Sequence, residues 1–420
     1  MPHSRKRFLE PVIRSALSWS PVVGLFGLRQ VGKTTLVKEL TDTLKGEFET
    51  FDREIILQRA EETPVQFLER DSLLTIDEAQ KAPRIFPIIK DLIGVKRRPG
   101  RFLLTGSIRF TLKKEIRESL TGRIVMRELL PFSLAEAAQI EKSVFLKEAF
   151  QAIGKIHHKN SEHSLFDRFK KKLRNTDVHR LSRTLVSGGL PIPCFAKDDQ
   201  KKGMWFEAYF ETLLTRDVIL VEPTLSSLSF RQGLAFLKEL ALVQGNEINL
   251  SDIAVKSSLS PLMAKRLIRS LEILALVDMI PPVIRAQKAV RKFQVEWKDS
   301  GLWGYLTGQT KSRCLFDIKA VHLLLTQEFR SQTSDFDDAV FWNFYRNRDG
   351  ADIPWIFKRG SRSVALKFHP SEVPPSYDWR ILKKFVNENK ESLAIVLGPE
   401  KSTPTVLDEK IWFLPLTLVF

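Results

Sequence analysis

The amino-acid sequence predicts an α/β protein whose first part is built on a parallel β-sheet, and three observations predict it. Short, continuous apolar runs recur through the first third of the chain: "PVVGLFG" (21–27), "SLLTID" (72–77) and "RFLLTG" (101–106). Runs without polar alternation are expected of strands buried on both faces, as in a parallel sheet. Between them lie segments with helical periodicity, such as "KTTLVKELTDTL" (33–44), where Leu36, Val37, Leu40 and Leu44 share one face. Polar residues cluster directly after the strand runs, at the edge where parallel α/β sheets place their ligands.

Composition bounds the classes. A chain of 420 residues is long enough for two or three domains, and 43% hydrophobic with 28% charged residues is the balance of a soluble globular protein. The only cysteines, Cys194 and Cys314, build no disulfide framework, so a reducing, cytoplasmic setting is expected. The start "MPHSRKRFLEPVIR" is basic but has no apolar run behind it, unlike a secretory signal. The most apolar internal stretch, "LEILALVDMIPPVI", is broken by Glu272, Asp278 and two prolines, so no membrane span is expected. A net charge of +16 suits a polyanionic partner such as DNA, or a diffusely basic surface. The segment 154–183 is dense in Lys and Arg. Leu165, Phe166, Phe169 and Leu173 give it an amphipathic stripe beside the lysines 170–172. Its His157, His158 and His163 lack a Cys or carboxylate at metal-binding spacing.

The first strand run ends in Gly27-x-x-x-x-Gly32-Lys33-Thr34. This is the spacing of a phosphate-binding loop, in which successive backbone N–H groups face an anion, the lysine reaches the terminal phosphates and the hydroxyl holds Mg²⁺. The expected nucleotide contacts are Gly27, Arg29, Gln30, Val31, Gly32, Lys33, Thr34 and Thr35, with the positive end of the following helix adding to the anion site. "FETFD" (48–52) is a second strand. The third, "SLLTID", leads directly into Asp77 and Glu78. Two adjacent acids at the end of a buried strand are costly without a partner. Beside a phosphate loop, Asp77 with Thr34 would hold the metal and Glu78 would polarise an attacking water. The fourth strand ends in Thr105, Gly106 and Ser107, which places Ser107 near a γ-phosphate. In "ESLTGRIVMREL" (118–129), Arg123 precedes a fifth strand, either as an arginine finger or as a salt bridge at a helix end. The expected ligands are ATP, with GTP second, and Mg²⁺.

In this order and spacing, "GLRQVGKTTL", "LLTIDEAQKAP", "RFLLTGS", "ESLTGR" and "LLPFSLAEA" resemble a family of bacterial and archaeal AAA-type P-loop ATPases. Their C-terminal half is a domain of unknown function of the DUF4143 type. "SGGLPIP" (187–193), "YFETLLTRDV" (209–218), "WKDSGLWGYLTG" (297–308) and "FYRNRDGADIPWIF" (344–357) are similar to that family's later motifs. Leu28 stands where the family usually has proline. The resemblance implies Mg²⁺-dependent ATP hydrolysis and a P-loop AAA-type domain over 1–140.

A basic helical lid or insert is expected over 141–225 and a winged helix-turn-helix-like module over 226–290. In the latter Ser251 caps one helix, a turn follows at 257–260, and Pro261 starts the next, with Leu262, Leu267, Leu271 and Leu274 as its buried stripe. Lys265, Arg266 and Arg269 on that helix suit phosphates of DNA. The last part, 291–420, reads as mixed α/β. By resemblance it is nuclease-like, with Asp352 and Lys367 in place but Ala365 where a metal-binding Glu is expected. Asp352 is therefore expected to pair with Lys367 as a buried bridge, while Glu328 would have to arrive from a distant helix to replace the lost acid. Three functions follow: an ATP-hydrolysing switch or mechanical ATPase whose second half recognises a protein partner, an ATP-regulated DNA-binding protein, and an ATP-gated nuclease. The first is preferred. Self-association stays open, as does whether Arg123 acts on its own subunit or a neighbour.

Overall fold

The computed structural model describes residues 5–108, 122–153, 187–283, 292–309, 317–334, 336, 339–347, 350–373 and 379–420. The basic stretch 154–183, with its amphipathic stripe and histidines, lies wholly outside them, as do Cys314 and most of "ESLTGR". The chain forms two compact units that do not follow the contiguous boundaries read from the sequence. One comprises Met1–Phe132, Gly189–Phe230 and Lys265–Leu276, and the other Ser133–Gly188, Arg231–Ala264 and Val277–Phe420.

The first unit holds an all-parallel sheet of β1 (Val22–Phe26), β2 (Glu47–Thr50), β3 (Leu74–Asp77), β4 (Phe102–Gly106) and β5 (Ile124–Glu128), in the order β2-β3-β4-β1-β5. This is the parallel sheet the apolar runs pointed to, in an order that the runs themselves do not state. Strands β3 and β4 are buried along their whole length, so their sequences carry no polar alternation. Helix Lys33–Thr43 turns Leu36, Val37 and Leu40 inward, against β3 and β4. The helix Asp199–Thr212, capped by the Asp198 carboxylate, runs without a break into a π-helical turn, Leu213–Asp217, and then into Val218–Val221.

The second unit contains a two-stranded antiparallel ribbon, β6 (Val277–Ile280) with β7 (Gln294–Trp297), and a six-stranded mixed sheet. The sheet runs β12-β13-β11-β10-β9-β8, from β8 (Phe341–Arg346), β9 (Asp352–Arg359), β10 (Arg362–Phe368), β11 (Ser392–Gly398), β12 (Thr405–Asp408) and β13 (Ile411–Pro415). Strands β10 and β11 are parallel, joined through helix Arg380–Glu388, which buries Ile381, Leu382, Phe385 and Val386 in a core with Ile353, Ala365, Val396 and Phe413. Helix Phe145–Ile153 lies on β10 and β11 and meets helix Ile318–Thr333 through stacked Phe145 and Phe329. A segment expected to belong to a separate lid therefore covers the C-terminal sheet; its apolar face, Phe145, Leu146, Ala149, Phe150 and Ile153, needed that burial.

Along the chain, helix Phe230–Leu242, helix Leu250–Lys256, a turn, helix Pro261–Ile273 and the ribbon follow one another. Two local expectations are corrected. The N-cap of the middle helix is Asn249, whose Nδ2 donates to Asp252, rather than Ser251. Leu262 is 57% exposed, because the buried positions run Ala264, Leu267, Ile268, Leu271 and Leu274, and Leu262 falls off that face. Accordingly, Leu267→Ala is expected to cost about 2–5 kcal/mol, and Leu262→Ala less than about 0.5 kcal/mol. Urea unfolding followed by circular dichroism checks this, and equal losses would refute the assigned face.

Candidate nucleotide-binding site

The loop after β1 folds as its glycines require. Gly27 (φ 154°) and Gly32 (φ 100°) adopt backbone angles that side chains rarely take, and a Cβ on Gly27 would collide with the Leu129 carbonyl. Gln30 between them is also left-handed, at φ 61°. Helix Lys33–Thr43 starts at the last glycine, so its first N–H groups point back into the loop.

Lys33 is buried, and its Nζ donates to the carbonyls of Gly27 (3.0 Å) and Leu28 (2.9 Å). Burial lowers its pKa from 10.5 to about 8, against the opposing pull of Glu78 and Asp77. Thr34 Oγ1 donates to Asp77 Oδ2 at 2.9 Å, and Thr105, at the end of β4, donates to Asp77 Oδ1. Hydroxyl and carboxylate are thus brought together at the carboxyl edge of β3, β4 and β1. The pair offers oxygen ligands of the kind Mg²⁺ takes alongside phosphates. Among the described residues, no group of three or more His, Cys, Asp or Glu would hold a metal by itself.

Glu78 sits in the left-handed region (φ 55°), an uncommon place for a side-chain-bearing residue and one that recurs at functional sites. Its carboxylate accepts from Gln80 Nε2, which also lies 3.3 Å from Ser107 Oγ. Gln80 Oε1 is buried and has no hydrogen-bond partner among the described residues. Glu78, Gln80 and Ser107 therefore form one polar group beside Asp77. Gln80 was not singled out in the sequence, although "DEAQ" places it two residues past Glu78 on the turn Ala79–Lys81.

Arg29, within the loop, makes an ion pair with Asp217 at 3.2 Å. Asp217 belongs to "YFETLLTRDV", a motif that carried no assigned role in the sequence. A second feature also went unread. A pocket of about 360 Å³ is lined by Gly32, Thr35 and Leu36 of the loop and helix, together with Arg7, Phe132 and Pro191. Arg7 Nη1 donates to Val31 O (3.1 Å) and its guanidinium covers the Phe132 ring, while Arg5 covers Phe195. Phe132 N donates to Gly189 O, so "SGGLPIP" is tied beside the phosphate loop.

Arg123 is not brought to this group by its own chain. It immediately precedes β5, whose Ile124 pairs with Val22 and whose Glu128 pairs with Phe26. Parallel register thus sets Arg123 at the amino-terminal edge of the sheet, while the loop leaves from the carboxyl edge. Five strand residues at about 3.3 Å each separate the two edges.

In the second unit, Asp352 pairs with Lys367 (3.3 Å), as expected, and also with Arg346 (3.4 Å); the bridge is half-buried rather than buried. Ala365 lies in the apolar core. Glu328 is engaged elsewhere: it accepts from Leu134 N at 2.7 Å, and burial raises its pKa to about 7.

The family model for an AAA domain matches residues 20–138, and that for a domain of unknown function (DUF8612) matches residues 178–313. The latter stands where the sequence resemblance implied a DUF4143-type domain. Uncharacterized proteins of Mycobacterium tuberculosis and Mycobacterium bovis are each 25% identical over 300 residues, which is 70% of this chain and 58% of theirs. The chain thus spans less than two thirds of the length of the curated relatives it matches. Among solved structures it is similar to a Walker-type ATPase of Pyrococcus abyssi, at 15% identity and a TM-score of 0.41, covering 73% of this chain and 98% of that one. The chain carries an AAA domain of the P-loop ATPase type in its N-terminal part, and a separate domain of unknown function after it.

Proposed function

We propose that this chain binds ATP with Mg²⁺ and hydrolyses it, working as a molecular switch or mechanical ATPase whose second half recognises a protein partner. The observation that carries the reading is the hydrogen bond of Thr34 to Asp77 beside the buried Lys33. In this reading Lys33 faces the β- and γ-phosphates, and Thr34 with Asp77 holds Mg²⁺, which when bound draws charge from the phosphate oxygens. Glu78 polarises the attacking water, Gln80 Oε1 accepts a hydrogen bond from it, and Ser107 faces the γ-phosphate. Arg7, Phe132 and Pro191 offer a base a flat apolar pocket, whose volume of about 360 Å³ lies at the small end of ligand sites.

A second reading, ATP-regulated DNA binding, is favoured by Lys265 and Arg269, both exposed on helix Pro261–Ile273, and by the net charge of +16. Steady-state turnover with and without duplex DNA over a range of salt separates the two: strong, salt-sensitive stimulation favours the second. A nuclease role is not favoured, because Asp352 already serves two cations and Ala365 offers no oxygen. Incubation with labelled DNA and RNA in Mg²⁺ or Mn²⁺ is expected to give no cleavage. Cleavage lost in Asp352→Ala but kept in Lys33→Ala would make the protein a nuclease.

Lys33→Ala is expected to abolish tight ATP binding. Glu78→Gln is expected to keep binding and lower turnover by roughly 10²–10⁴-fold. A Glu78→Gln protein turning over at the wild-type rate would remove Glu78 from the mechanism.

The pH dependence follows from Lys33. Between about 8 and 10.5 the unfolded chain keeps a proton that the folded protein has lost, so this group adds stability as the pH rises through that window. Phosphate attraction runs the other way, since it needs the charged form. ATP affinity is expected to fall as the pH rises through about 8, with proton uptake on binding above that value. Calorimetry in buffers of different ionisation enthalpy measures both, and a flat profile would contradict the lysine's role.

A further inference from the structure

The contact between Arg29 and Asp217 joins residues 188 positions apart. Arg29 lies in the middle of the phosphate loop with its side chain 32% exposed, while the Asp217 side chain is 7% exposed. Burial raises the pKa of Asp217 above the ordinary carboxylate value, and Arg29 opposes that shift. Without the guanidinium, a carboxylate here would be an uncompensated, nearly buried charge.

Asp217 ends the π-helical turn Leu213–Asp217, which is anchored by buried Leu213, Leu214 and Val218. Such turns insert one residue into a helix and recur at functional sites. Here the extra residue aims a carboxylate at the loop from a rigid, flanked position. The geometry of the ion pair is one-sided. Nη1 alone reaches Asp217, at 3.2 Å to Oδ1 and 3.5 Å to Oδ2. A guanidinium carries five donors in a fixed fork, so among the described residues the edge opposite the carboxylate keeps its donors for a second anion. Arg29 and Asp217 both bear on the charge of Lys33, in opposite directions, so the pair lies within the field of the phosphate site.

We propose that Asp217 is a positioning residue of the phosphate site: it grips one edge of the Arg29 guanidinium and thereby presents the other edge to the terminal phosphate of the nucleotide. This deepens the ATP reading above and rests on it. It gives "YFETLLTRDV" a task, since the helix through 199–221 then carries a residue whose partner reads the γ-phosphate. Oriented this way, Arg29 favours triphosphate over diphosphate, and Asp217 acts on that preference through Arg29.

The test is a double-mutant cycle read by calorimetric binding of Mg·ATP and Mg·ADP to the full chain. Asp217→Asn is expected to weaken ATP binding roughly tenfold or more beyond its effect on ADP, the size of one hydrogen bond to a charged group. Arg29→Gln is expected to give the same selective loss. In the Arg29→Gln background Asp217→Asn should add nothing, and Asp217→Glu should restore part of the ATP preference. Equal losses for both nucleotides, or additive effects in the double variant, would overturn the proposal. If Asp217→Asn melts too low for binding to be read, Arg29→Gln decides alone: a folded variant that keeps its ATP preference overturns it. A wild-type protein that binds neither nucleotide would instead sink the ATP reading itself.

Discussion

The carboxylate of Asp77 is buried at the end of β3 and takes hydrogen bonds from two threonines, Thr34 on the helix that follows β1 and Thr105 at the end of β4. A buried carboxylate without such donors would cost several kcal/mol, on the order of the whole stability margin of a domain. Three adjacent segments of the parallel sheet are thus pinned at one atom group on their carboxyl edge. The glycine loop is held from the same point, because Thr34 is fixed one residue past Lys33. Lys33 in turn closes the loop from inside, through the carbonyls of Gly27 and Leu28. Positive charge, hydroxyl and acid are held in place by the fold itself, which is the preorganisation that the proposed phosphate chemistry would need.

That centre was legible in the sequence because its parts are local or strand-terminal. Gly27, Gly32, Lys33 and Thr34 lie within one short loop, and Asp77 and Glu78 end an apolar run whose burial left them one place to go. The strand order was not legible, although the strands were, since apolar runs do not state their neighbours. Arg123 shows the consequence. In sequence it reads as an arginine finger or as a salt bridge at a helix end, and parallel pairing of Ile124 with Val22 sets it at the far edge. Leu262 differs for another reason: the buried face of its helix runs through Ala264 and Ile268 and not through every leucine.

The remaining parts of the site come from distant chain segments. Arg7, Phe132 and Pro191 are brought around Gly32 and Thr35 from distant positions in the chain, and Asp217, which meets Arg29, ends the π-turn. Nothing in the periodicity of 199–221 marks that extra residue. In the second unit, the Asp352 carboxylate is neutralised by Lys367 and Arg346, while Ala365 sits in the apolar core.

The central claim is that Asp77 and Thr34 form a metal-dependent phosphate site and not merely a structural pin. Comparing nucleotide affinity with and without Mg²⁺, in the wild type and in Asp77→Asn, tests it most directly. The asparagine keeps the shape and can still accept from Thr34, but it loses the charge. The account predicts that the variant retains the metal-free affinity and loses the gain that Mg²⁺ brings. An Asp77→Asn protein that responds to Mg²⁺ as the wild type does would contradict it.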